Sequence, residues 1–342
     1  MASSQSLSVA TNPVGITRIE VPTNSDTFFA IGFHRSVLFR TTVASVQGNV
    51  VTLNGSPGWS NDELKYAPGI QPNDYVLLFG HVDRPLSEEG KYFLIESNTS
   101  STVTLDLTMR GTGEIDPLAN LQTGAAEGDP VLIIPCWTID SLFAGIRDEG
   151  IKVTIFDDSQ AGANQAVPYT FCYDSSEHIW KSENGMDGDF GNSPIFPGQS
   201  VCIRNETGED KTMIAYGSVP MESFRTVVYT AANDQPQDIY IGIRSPMPIL
   251  LEDAVGLGEN GDELLIFDNT QAIVDKSASR ILEYIDNGRV SVPGWYDGVR
   301  YVGDSEELLP GVGYVLRKAP SSNPTSSYWQ ATPSYLSSLL SN

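Results

Sequence analysis

The sequence predicts an all-β protein: an N-terminal antiparallel barrel or sandwich, followed by a duplicated, pseudo-symmetric β-sandwich or barrel with few short helices. Three observations carry this expectation. Short runs rich in Val, Ile, Thr and Phe alternate with Gly/Asn/Pro/Ser clusters almost throughout. No amphipathic helical pattern persists over as many as ~15 residues. A β unit also recurs within the C-terminal half.

In chain order, Val14 to Val21 (VGITRIEV) and Thr27 to Phe33 (TFFAIGF) read as strands. Thr42 to Leu53 reads as a hairpin turning at Gln47-Gly48-Asn49, where positive φ costs little. Tyr75 to Gly80 (YVLLFG) is a buried-strand type of run. Lys91 to Leu107 forms a second hairpin around Asn98-Thr99-Ser100, and Pro130 to Thr138 (PVLIIPCWT) closes the set. Sequential hairpins at this spacing favour a small barrel or sandwich and place an N-terminal domain at residues 1–145. Asp140 is the expected cap of a short helix over Ser141 to Ala144.

The repeat lies further on. Val153 to Gln160 reads VTIFDDSQ, and Leu264 to Gln271 reads LLIFDNTQ. Phe156 and Phe267 are separated by the same interval as Tyr173 and Tyr284. Phe196-Pro197-Gly198 and Val201-Cys202-Ile203-Arg204 match Leu309-Pro310-Gly311 and Tyr314-Val315-Leu316-Arg317, with Trp180 and Trp295 in between. The repeat units span 151–206 and 262–319 of a domain at 146–320. Two copies are too few for a solenoid, so each copy should supply half of one core. Thr226 to Thr230 and Asp238 to Ile243 read as linking strands, the second echoing Thr27 to Phe33. Residues 321–342 form a polar tail dotted with aromatics.

Composition narrows the function. The chain has 342 residues, 40% hydrophobic and 18% charged, which suits folded domains rather than disorder. Acidic residues outnumber basic ones by 43 to 20, for a net charge of −23. That field repels phosphate backbones and anionic lipid, so neither nucleic acid nor membrane is an expected partner. No run of ~18 apolar residues offers a membrane-spanning helix. The start, Met1-Ala2-Ser3-Ser4-Gln5, has no basic or apolar leader, so the chain reads as cytosolic or as already cleaved.

Several blocks stand out: Asn12-Pro13-Val14-Gly15, Pro135-Cys136-Trp137-Thr138 with Leu142-Phe143, Gly261-Asp262-Glu263-Leu264-Leu265 with Phe267-Asp268-Asn269, Gly294-Trp295, Pro310-Gly311-Val312-Gly313-Tyr314 and Arg317-Lys318-Ala319. Together they resemble an uncharacterised paralogous family of secreted, β-rich proteins of verrucomicrobial bacteria. The resemblance implies export through a cleavable signal peptide and an extracellular or cell-surface setting. It brings no catalytic residues.

Signals for chemistry are sparse. Gly256-Leu257-Gly258-Glu259-Asn260-Gly261 fits G-x-G-x-x-G but precedes a strand and carries Glu259 where an anion would sit, so it reads as a loop. His34, His81 and His178 are scattered without metal-ligand spacing, and no G-x-S-x-G elbow occurs. The Gly-rich loop with Asp187, Asp189 and Asn192 is the candidate calcium site, because hard cations take clustered oxygens. Cys172 and Cys202 are both replaced in the second repeat, by Glu283 and Val315, which points to a disulfide between them. Trp180 and Trp295 recur within the repeat and read as core. Trp329, Tyr328, Tyr335 and Leu339 sit on a polar stretch and, left in water, would form a patch of the kind monomers avoid. They are the expected contacts of a subunit interface. The expectation is a non-enzymatic, secreted or surface structural protein that self-assembles as a filament, layer or matrix component. A polysaccharide-binding module and a carbohydrate-active enzyme are the alternatives.

Overall fold

A computed structural model describes residues 13–55, 57–67, 74–84, 87–107, 121–157, 162–164, 167–230, 234–288, 290–322 and 325–336. The fold is nearly all β, as predicted. The chain opens with β1 (Val14–Val21) and β2 (Ser25–Ala30). In β1 the odd-numbered row, ending in Ile19 and Val21, turns inward. β2 is buried along its whole length.

The chain then departs into a closed six-stranded barrel. Its strands are β3 (Phe39–Gln47), β4 (Val50–Leu53), β5 (Tyr75–Phe79), β6 (Tyr92–Asn98), β7 (Thr102–Leu105) and β8 (Pro130–Pro135), in the order β3-β4-β7-β6-β5-β8. A short helix, α1 (Leu121–Gly124), precedes β8. Gly48 turns the first hairpin at φ 62°, as the sequence indicated. Register shifts at Val43/Ser45 and Ile95/Ser97 add the local twist that closure needs. Val43, Val51, Leu77, Phe79, Phe93, Ile95, Val103 and Ile133 fill the interior, so the barrel holds a packed core.

After the barrel come β9 (Trp137–Thr138), α2 (Ile139–Leu142), β10 (Ile151–Asp157), β11 (Val167–Asp174), β12 (Ile179–Ser182), β13 (Pro194–Ile195), β14 (Ser200–Asn205) and β15 (Lys211–Ser218). Thr138, not Asp140, caps α2, through the Ser141 N–H. The Asp140 carboxylate instead accepts from the Trp180 indole. The sheet order is β12-β11-β10-β14-β2, while β1 pairs with β15 as a separate ribbon. The division expected at residue 145 therefore does not follow the strand pairing. β1 and β2 belong to the unit built on β10 to β15, and the barrel is an insertion between β2 and β9.

The last part of the chain repeats this unit without a barrel. It contains β16 (Phe224–Thr230), β17 (Gln237–Ile241), β18 (Ile249–Leu250), β19 (Glu263–Ile266), β20 (Arg280–Ile285), β21 (Gly294–Asp297), β22 (Arg300–Tyr301), β23 (Glu307–Leu308), β24 (Tyr314–Lys318) and β25 (Thr325–Ala331). Its sheet runs β17-β24-β19-β20-β21-β22, matching β2-β14-β10-β11-β12 strand for strand with β22 added. β16 pairs with β25 as β1 pairs with β15, and β18 with β23 as β9 with β13. So β16 and β17 are the opening strands of the second unit, not linkers. β25, within the expected tail, is one of its core strands.

The two units meet through reciprocal contacts. Phe28 of the first stacks on Phe267 of the second at 3.9 Å, and Tyr240 of the second stacks on Phe156 of the first at 3.8 Å. Arg204 grips Asp26 through two bonds of 2.7 Å, while the Asp275 N–H of the other unit donates to the same carboxylate. Arg317 grips Asp238 likewise, and there the Asn164 N–H arrives from the first unit. Asn164 and Asp275 both adopt positive φ, 58° and 50°, which Asn and Asp tolerate better than most residues. Gly242 lies where a side chain would strike Ala30, and Gly32 where one would strike the Ser245 carbonyl. Each unit gives the other what it receives, which is the pattern of a two-fold dimer joined into one chain.

Candidate interaction surface

Of the side chains expected to meet a neighbouring subunit, Trp329, Tyr328 and Tyr335 lie against their own chain. Strand β25 alternates with period two, sending Trp329 and Ala331 inward. Trp329 is fully buried, edge-on to Phe224 at 4.9 Å. Tyr328, on the opposite row, is half-buried beneath the Lys91 ammonium, 4.3 Å from its ring centre. The Tyr335 hydroxyl donates to the Pro220 carbonyl at 2.8 Å, and burial pushes it well above the usual tyrosine range. Leu339 lies outside the described residues.

The calcium loop is also differently employed. Asp189 accepts from the Trp180 and Gly191 N–H groups at 3.1 and 2.9 Å, which makes it a turn-former at the edge of β12. Asp187 is exposed and Asn192 half-buried. Among the described residues, no three His, Cys, Asp or Glu side chains gather as a metal site. The expected disulfide is corrected as well: all three cysteines are free. Cys172 on β11 and Cys202 on β14 flank β10 on opposite sides, facing Lys152 and Thr154. Two strand spacings of ~4.8 Å exceed the reach of a disulfide, whose Cα atoms lie within ~7 Å.

A polar seam ties the barrel to the second unit. The turn before β6 lies on the outer face of the β16–β25 ribbon. Arg225 donates to the Ser87 carbonyl, Arg244 to the Gly90 carbonyl, and the Ser223 N–H to Glu89. His34 and Glu222, both buried, share a bond of 2.7 Å beside this seam. Burial alone would raise the Glu222 carboxyl. The His34 bond and charge, with Arg244 nearby, hold it below the ordinary glutamate range. A cavity of about 10 Å³ opens between Phe33, Arg35, Cys136 and Arg244, room for a water and not for a substrate. Burial pushes the Cys136 thiol up, away from the reactive thiolate.

The unmatched surface is the outer face of the β1–β15 ribbon. Val14, Ile16, Ile214 and Tyr216 are 68, 72, 60 and 64% exposed, and Ile16 stands directly opposite Tyr216. Arg18 and Glu20 continue the row on β1 as an exposed ion pair. In the second unit the corresponding face, with Arg225, Val227, Tyr328 and Gln330, is half-buried, and the barrel reaches it at Arg225 and Tyr328. Among the described residues, the chain thus holds two versions of the same ribbon, one half-buried and one exposed.

The sequence held a signal for this surface. Met213-Ile214-Ala215-Tyr216 is apolar on both rows of a two-stranded ribbon, and β1 carries Val14 and Ile16 outward as well as Ile19 and Val21 inward. Runs apolar on both rows belong to strands covered on both faces. Comparison with protein-family models, curated proteins and solved structures finds no match.

Proposed function

We propose that this is a non-enzymatic structural protein of the extracellular space or cell surface, which self-assembles through the outer face of its β1–β15 ribbon. The exposed apolar row of Val14, Ile16, Ile214 and Tyr216 carries the reading, because the equivalent face in the same chain is half-buried. Four large apolar side chains clustered in water cost free energy that a partner surface recovers. The resemblance to a secreted paralogous family supports the exported setting. Trp180, Trp295 and Trp329 are buried in the cores, and the exposed Tyr216 stands among the aliphatic side chains Val14, Ile16 and Ile214 rather than beside a second aromatic, so self-association is the reading favoured over polysaccharide binding.

The test is light scattering of the full chain across concentration, beside Ile16→Ser combined with Tyr216→Ser. The expected outcome is a wild-type assembly that the double substitution disperses, with the melting temperature nearly unchanged because both side chains face solvent in the monomer. The net charge of −23 opposes contact between copies, so assembly should also strengthen as salt is raised. An assembly indifferent to both substitutions contradicts the proposal.

A further inference from the structure

Resting on that reading, we infer that the ribbon pairs with the same ribbon of a second copy in a closed two-fold dimer, rather than feeding an open filament. A filament needs two different complementary patches on one molecule, whereas a two-fold contact needs one self-complementary patch. The β1–β15 face supplies one. It holds the cross-strand pair Ile16–Tyr216 at its centre, with Val14 and Ile214 beside them. Among the other described residues, the exposed large apolar side chains on strands, Tyr169 and Ile281, stand opposite the half-buried Ile155 and the buried Leu265 rather than an exposed partner. No second cross-strand pair of exposed apolar side chains is found among the described residues to receive the ribbon.

Charge agrees with this occupant. The chain carries 43 acidic residues, yet the four central positions of this face carry none. The adjoining charges, Arg18 and Glu20, are of opposite sign and neutralise each other within one copy. Two such faces meet without net repulsion at the contact itself. The area also bounds the strength. A patch of four side chains is near the ~300–600 Å² that a monomer can carry, below the ~800 Å² per partner of a standard interface. The dimer is accordingly weak and concentration-dependent.

The experiment is cysteine cross-linking of the full chain under mild oxidation. Ile16→Cys and Tyr216→Cys lie beside the inferred axis, so each should give a covalent dimer and nothing larger. Val299→Cys, fully exposed on another element, should give none above the background of the native thiols, two of which are buried. Ile16→Ser should weaken dimerisation on the order of tenfold or more, as expected for an interface-centre residue. Particles that grow beyond the dimer and are dispersed by Ile16→Ser would overturn the two-fold pairing while leaving self-association standing. An oligomer untouched by Ile16→Ser and Tyr216→Ser would overturn both. A monomeric full chain that dimerises only after deletion of residues 1–12 would show that its own terminus covers the face, and the pairing would fall.

Discussion

Trp329 stands in a stretch of serines, threonines and prolines, yet its indole is fully buried against Phe224. Local composition misled here because a strand sorts side chains by parity, not by the polarity of their neighbours. Removing the ring should leave a large cavity, so Trp329→Ala is expected to lower stability by about 3–5 kcal/mol in denaturant unfolding. It should leave the ribbon face, and hence self-association at permissive temperature, unchanged. Glu222 offers a second test. Its carboxyl is depressed in the folded state, so its contribution is present above the unfolded value of ~4.3 and is lost as pH falls through the folded value. Glu222→Gln should therefore lower the melting temperature near neutral pH, and the gap to wild type should narrow as pH falls below the unfolded value. The joint replacement of Cys172 and Cys202 in the second unit is not the mark of a bonded pair, since β10 runs between their strands. Cys202 lies buried where the two units meet, and Val315 fills the corresponding place.

At the scale of elements, strands and hairpins were legible because alternation and turn residues are local signals. The two barrel hairpins, and the core roles of Trp180 and Trp295, follow from the sequence read directly. The membership of β1 and β2 was not legible, because the inserted barrel separates them from β14 and β15 and no local pattern names a distant partner. The echo of Thr27 to Phe33 in Asp238 to Ile243 was the trace of that membership: β2 and β17 occupy the same edge in the two sheets. If the units are equivalent, Asp26→Ala and Asp238→Ala should destabilise to a similar degree. The expected cost is at the lower end of the ~3–5 kcal/mol for breaking a buried pair, since each arginine retains some solvent contact. Unequal losses in urea unfolding would argue against a shared clasp. The barrel's seat depends on Gly90, at φ +77°, where an added Cβ would come within 2.2 Å of the Ser223 carbonyl. Gly90→Ala should cost about 1–3 kcal/mol and loosen the barrel from the second unit, read as faster proteolysis at its junctions.

For the molecule as a whole, two units of matching strand order carry unequal ribbons. The barrel lies in the chain between β2 and β9 of one unit and contacts the ribbon of the other, while the outer face of β1–β15 stays exposed among the described residues. Hydrogen exchange followed over a concentration series tests that account most directly. The account predicts that amides of 14–20 and 212–218 slow as concentration rises, while those of 325–331, already within the second core, do not change. Concentration-dependent protection at 325–331 with an indifferent β1–β15 ribbon would contradict it.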